Sequence, residues 1–155
     1  MRSDFLPQNE GYQLEIPTLY ESTDYSEDGK VVILQKATEG NGINVAIVGD
    51  GFADVDFTSG HFDNVMHKTM EGLFRLEHMK SFRHLFNVYA VKTVSKHNVF
   101  LDGETALEGK YGSSDSPGYA LAECNPEILR NKYINKIPDF NPDEAICFVI
   151  FNVYT

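Results

Sequence analysis

The chain has 155 residues, 42% of them hydrophobic, the size of one ordinary domain that buries roughly two thirds of the surface its unfolded form exposes. Its 23 acidic against 13 basic residues give a formal charge of -10, which repels phosphate backbones and anionic headgroups and argues against nucleic acid or a membrane surface as partner. No stretch reaches the roughly 18 to 20 apolar residues of a spanning helix, and Met1-Arg2-Ser3-Asp4 leads into no hydrophobic signal core, so the chain reads as soluble, either cytoplasmic or already relieved of a leader.

Residues 1–30 hold Pro7, Gly11, Pro17, Gly29 and only short apolar pieces such as Tyr12 to Ile16. They read as an arm or small hairpin ahead of one main domain, 31–155. Val31 to Leu34 predicts a brief strand, and Glu39-Gly40-Asn41-Gly42 supplies turn residues before Ile43 to Val48, whose apolar run barely alternates and so predicts a strand buried on both faces. Gly49-Asp50-Gly51-Phe52 follows as a structural turn, with the Asp50 carboxylate expected to accept hydrogen bonds from the residues after it. Next, Phe62, Val65, Met66, Met70, Leu73, Phe74 and Glu77 recur at three- and four-residue steps and predict one amphipathic helix of about five turns, Ser59 to Met79. A short helical piece, Ser81 to Phe86, leads to a strand over Val88 to Val94. Strand, helix and strand make a βαβ unit, so the two strands are expected to be parallel with a right-handed crossover.

Ser95 to Pro117 is polar and glycine-bearing, with one short edge strand expected near Ala106; a loop of this length is usually functional or mobile. Asn125 caps a helix opened by Pro126, with Ile128, Leu129, Tyr133 and Ile134 at helical spacing and an end before Pro138. Ala145 to Phe151 is the most apolar run and predicts a central strand covered on both faces. Only four residues follow it, too few to supply that cover, so the domain is expected to be incomplete at its C-terminus.

A hydrolytic zinc site needs about three N or O ligands and an open position for water. The sequence has no H-E-x-x-H, and the inverted H-x-x-E-H fails because Phe74 stands where a histidine must precede Glu77-His78. His67 and Glu71, one helical turn apart, are a chance pair expected to be structural or solvent-facing. Asp54-Val55-Asp56 opens like a calcium loop, but Ser59 and Val65 occupy its required glycine and acid positions. Gly49 to Phe52 is neither a dinucleotide fingerprint nor a Walker loop, and it holds no elbow nucleophile. Cys124 and Cys147 lack C-x-x-C spacing and are expected as buried free thiols, with a disulfide left open. Tyr111 and Tyr119 are the aromatic residues of the polar loop suited to face a ligand.

Gly42-Ile43-Asn44-Val45-Ala46-Ile47-Val48-Gly49-Asp50-Gly51-Phe52 resembles the opening strand and turn of the IgA-peptidase-type zinc metallopeptidases, metallopeptidase family sixty-four. Met70 to Phe74, Lys80 to Arg83, Phe86 to Val91 and Thr105 to Gly112 resemble that family in order and spacing, from about Val31 to Tyr154 overall. The resemblance implies a zincin-like three-layer α/β scaffold, a mostly parallel sheet with a βαβ crossover, secretion or a periplasmic or cell-surface location, and a peptide or protein substrate. In the family the strand matching Ala145 to Asn152 leads through a glycine loop into the H-E-x-G-H helix, and none of that helix is present. No catalytic or metal residue therefore carries over, and zinc is expected only in the full-length family domain. The segment Thr105 to Gly112 matches a substrate-binding edge strand, which makes Tyr111 and Gly112 the expected contacts. The chain is expected to be the inactive front part of such a peptidase, self-associating through its final strand. The alternatives are a non-catalytic peptide- or protein-binding module on the same scaffold and an enzyme with an improvised metal site at His67, Glu71 and another histidine.

Overall fold

The computed structural model describes residues 19–113 and 120–153. Its centre is a four-stranded sheet in the order β1-β3-β2-β6, built from β1 (Val31–Gln35), β2 (Ile43–Asp50), β3 (Phe86–Val91) and β6 (Ile146–Phe151). β3 and β6 both run parallel to β2, and β1 joins β3 antiparallel with an irregularity between Ile33 and Gln35. The fold is therefore mixed α/β with a mostly parallel sheet, as the βαβ reading requires.

β2 is the central strand, and Val45 through Asp50 are all buried. Alternate side chains serve two cores, because successive residues of a strand point to opposite faces. Val45 and Ile47 join Val88 and Ala90 under Phe62, Met66, Met70 and Phe74 of the crossover helix. On the other face Ala46 and Val48 join Tyr89 and Val91 beneath Tyr133, Ile134 and Ile137. Helices on both faces of the sheet make three layers.

The crossover is divided where one helix was expected. Asp54–Thr58 forms a short helix, α1, ahead of the expected start at Ser59; α2 spans His61–Arg75 and α3 Glu77–Lys80, with Leu76 extended between them. Core-facing positions recur every four residues from Phe62 to Phe74 and the next one along is the polar, exposed His78; beyond the extended Leu76 the chain regains the core through half-buried Met79. A 3-10 turn over Arg83–Leu85 then feeds β3, which starts and ends earlier than the expected Val88 to Val94. Thr93, Val94 and Ser95 are buried beyond the sheet, where the Thr93 hydroxyl bonds the Gly49 carbonyl and the Ser95 N–H donates to Phe52 O at 2.7 Å.

No strand forms near Ala106, which lies in a turn; the neighbouring strands are β4 (Lys110–Ser113) and β5 (Ala120–Glu123), an antiparallel pair separate from the main sheet. The second helical segment begins as expected, with the Asn125 side chain accepting from the Glu127 and Ile128 N–H groups ahead of α4 (Pro126–Ile128). It continues through a π turn at Leu129–Tyr133 and a 3-10 turn at Ile134–Lys136.

The largest correction concerns β6. It is an edge strand among the described residues, not a central one, and its first three residues are exposed, including Ile146 at 42% and Phe148 at 37%. A run of apolar residues reports an affinity for burial, and in this structure only β2 on one side supplies it.

Residues 19–30 form no strand and are tied to the main body. Ser22 N donates to Lys96 O and Gly29 N to Lys92 O, each at 2.8 Å, and the Tyr20 hydroxyl donates to Asp54 Oδ1 at 2.5 Å. The expected apolar piece Tyr12 to Ile16 lies outside the described residues.

Candidate functional site

In a sheet whose strand order reverses, ligands gather in the crevice at the carboxyl ends of the parallel strands. From β2 the chain crosses to β3 on one side and later reaches β6 on the other, so the reversal lies between β2 and β6. The Gly49-Asp50-Gly51 turn stands there, with Asn152 just after β6 opposite it.

Asp50 is wholly buried at the last position of β2. One carboxylate oxygen accepts from the Thr105 hydroxyl at 2.6 Å and the other from Leu107 N–H at 3.0 Å. Gly109 N–H donates in turn to the Thr105 hydroxyl oxygen at 2.8 Å. Burial pushes this carboxyl above the usual range, and these donors only partly offset that effect. Both donors come from a loop more than fifty residues away and not, as expected, from the turn after Asp50; the sequence pattern gave no means to place that loop.

Two glycines are required by this packing. Gly51 has φ +81, and a Cβ there would lie 3.0 Å from the Phe100 backbone; at Gly109 a Cβ would lie 2.6 Å from an Asp50 carboxylate oxygen. Ser95 adds a hydroxyl that accepts from Gly51 N at 3.1 Å and Ala106 N at 2.9 Å. Asn152 closes the other side: its amide donates to Gly51 O at 3.1 Å and Asn98 O at 3.0 Å, its backbone N donates to Asp50 O at 2.8 Å, and its carbonyl accepts from Phe100 N at 2.8 Å. The His61 ring lies 3.3 Å from the Asn152 side-chain oxygen, and the Phe100 ring meets Phe151 with centroids 4.7 Å apart. The crevice is thus filled by the chain's own segment 98–109.

The expected contact residues stand elsewhere. Tyr111 is 62% exposed on β4, where its backbone N–H donates to the Asp102 carboxylate at 2.5 Å, and Gly112 is exposed beside it. The structure separates them from the Gly49-Asp50-Gly51 turn, and the segment Thr105 to Gly112 is not one edge strand of the main sheet: its first part is the loop that binds Asp50 and its last part belongs to the hairpin. Tyr119 lies outside the described residues.

All five histidines are described, and no group of three or more His, Cys, Asp or Glu side chains among the described residues is placed to hold a metal ion. Glu71 bonds Arg83 through two contacts of 2.6 and 2.9 Å, which hold its carboxyl below the usual range. His97 bonds Tyr20 O at 2.8 Å, and His84 lies 3.3 Å from Glu39. The cysteines are both free thiols; Cys124 is half-buried, but Cys147 is exposed on β6 and not buried as expected, because β6 lies at the sheet edge.

No protein-family model and no curated protein matches this chain.

Proposed function

We propose that this chain is the scaffold portion of a secreted zinc metallopeptidase acting on peptide bonds, with the zinc ligands and the hydrolytic step supplied by sequence other than residues 1–155. The observation that carries the reading is where the resembling segments fall. The Gly42 to Phe52 stretch forms β2 and its turn, the Phe86 to Val91 stretch forms β3, and the Ala145 to Asn152 stretch forms β6, so three segments distant in sequence become three adjacent parallel strands. A zincin-like layer arrangement suits that placement.

Within the reading, this chain's residues position and bind; they move no proton and polarise no carbonyl. The β4 edge with exposed Tyr111 offers backbone groups and an aromatic face to an extended peptide. The exposed Ile146 and Phe148 of β6 offer an uncharged edge suited to self-association. That same edge, unpaired on its outer side among the described residues, favours a second reading, a non-catalytic module that holds a peptide as an added strand.

The test is cleavage of a generic unfolded protein such as casein by this chain and by a longer chain that carries an H-E-x-G-H helix after residue 155. Cleavage by the longer chain alone supports the peptidase reading. Cleavage by neither, with saturable binding of casein peptides to this chain, favours the binding module.

A further inference from the structure

The corner where α2 passes through α3 toward β3 concentrates positive charge in a chain whose net charge is -10. It holds Arg75, Lys80 and Arg83 against one acid of its own, Glu77. The three cations line an open hollow of about 460 Å³ together with Phe74 and Glu71, and Glu77 is not part of that lining.

The hollow is built on a fixed frame. Arg83 donates from Nε to the Gln35 side-chain oxygen at 2.8 Å and from both Nη atoms to Glu71, and its guanidinium lies 5.0 Å from the centre of the Phe74 ring. The Gln35 amide in turn donates to Arg83 O at 2.8 Å and Phe86 O at 3.1 Å, which ties the corner to β1. Phe74 is buried, and Met79 and Leu85 pack against the same core. Glu71 and Arg83 neutralise each other. Arg75 and Lys80 are left over, both exposed and in no ion pair among the described residues.

Two large apolar residues are exposed on the same corner: Leu76, next to Arg75, at 62%, and Phe82, next to Arg83, at 54%. One exposed leucine or phenylalanine is ordinary on a protein surface. Two of them beside unpaired cations and a preformed hollow make a surface that attracts a carboxylate and gains by losing water. We propose that this corner docks an acidic segment of a protein partner, one that presents an aspartate or glutamate carboxylate to Arg75 and Lys80 and an adjacent apolar side chain to Leu76 and Phe82. The inference is independent of the peptidase reading, whose peptide edge is β4.

Charge complementarity selects this occupant. At physiological ionic strength exposed charges act over about 8 Å, so a short segment with one or two carboxylates feels the two cations and little of the acidic remainder of the chain. A nucleic acid or an anionic bilayer spreads its charge over a wider face and meets the excess of acids there. The frame of Gln35, Glu71 and Arg83 holds the hollow ready, which limits the ordering that binding must supply.

The experiment is fluorescence anisotropy of a labelled, end-capped peptide of Glu-Phe pairs spaced by Gly-Ser, titrated with the full chain at low and at physiological salt. The expected result is saturable binding that weakens as salt rises, falls about fivefold or more in the Arg75→Ala/Lys80→Ala double variant, and falls also in Phe82→Ser. With Gln in place of Glu, the peptide is expected to bind wild type and double variant alike. Tyr111→Ala, on the β4 edge, is expected to bind the probe as wild type does. If the double variant shifts its urea midpoint, Lys80→Gln alone decides. Absence of saturable binding, equal affinity of wild type and double variant, or a loss reproduced by Tyr111→Ala overturns the proposal. So does binding of phosphatidylserine vesicles that the double variant abolishes while the peptide fails to bind, which would make the corner a membrane contact.

Discussion

At Glu27 one side chain joins the segment before β1 to the sheet. Its two oxygens take Lys30 and Lys92, each at 2.5 Å, and the Lys30 bond followed by the Lys92 bond brings its carboxyl down to about 2. A carboxyl lowered on folding adds stability above its unfolded value and loses it as pH falls toward its folded one. Urea unfolding of wild type and Glu27→Gln is therefore expected to differ at pH 7, and the gap to close between the ordinary carboxylate range and about pH 2. A gap that persists at pH 2 would show that packing of the side chain, not its charge, is responsible. Asp50 has the opposite sign, being raised by burial, so the two acids respond to acidification in opposite directions. Sequence alone marked Asp50 as a turn residue but not its partner Thr105, 55 residues away, and did not mark Glu27, whose second partner Lys92 is 65 residues away.

Among the elements, those with a continuous local pattern were legible. The Phe62, Met66, Met70, Phe74 stripe located α2, and the Asn125-Pro126 pair located the second helical segment. What the pattern missed was the break at Leu76, which is extended between α2 and α3, and the edge position of β6, which comes from strand order. The stripe also identifies where the first core is most sensitive. Phe62 is wholly buried, with its ring 5.2 Å from Phe52 and 4.9 Å from Phe57 between centroids, so Phe62→Ala is expected to cost about 3 to 5 kcal/mol by chemical denaturation. Loss of less than about 1 kcal/mol would mean that α2 is not seated on the sheet as described.

For the whole molecule, the α/β class and the parallel pairing of β2 with β3 followed from residue patterns, and the second helix-covered face completes three layers. The candidate site was less legible. The Gly49-Asp50-Gly51 turn was visible as a turn, but segment 98–109, which fills the crevice above it, is irregular and bonds the distant side chains of Asp50 and Asn152, and such segments carry no periodic signal. The central proposal is that the chain lends a scaffold to a peptidase whose zinc ligands come from elsewhere; among the described residues no group of three or more His, Cys, Asp or Glu side chains is placed to hold a metal ion. The most direct test is the zinc content of the purified chain after equilibrium dialysis against micromolar zinc. The account predicts well under one equivalent, unchanged by His67→Ala; one tightly held equivalent that is lost in His67→Ala would contradict it.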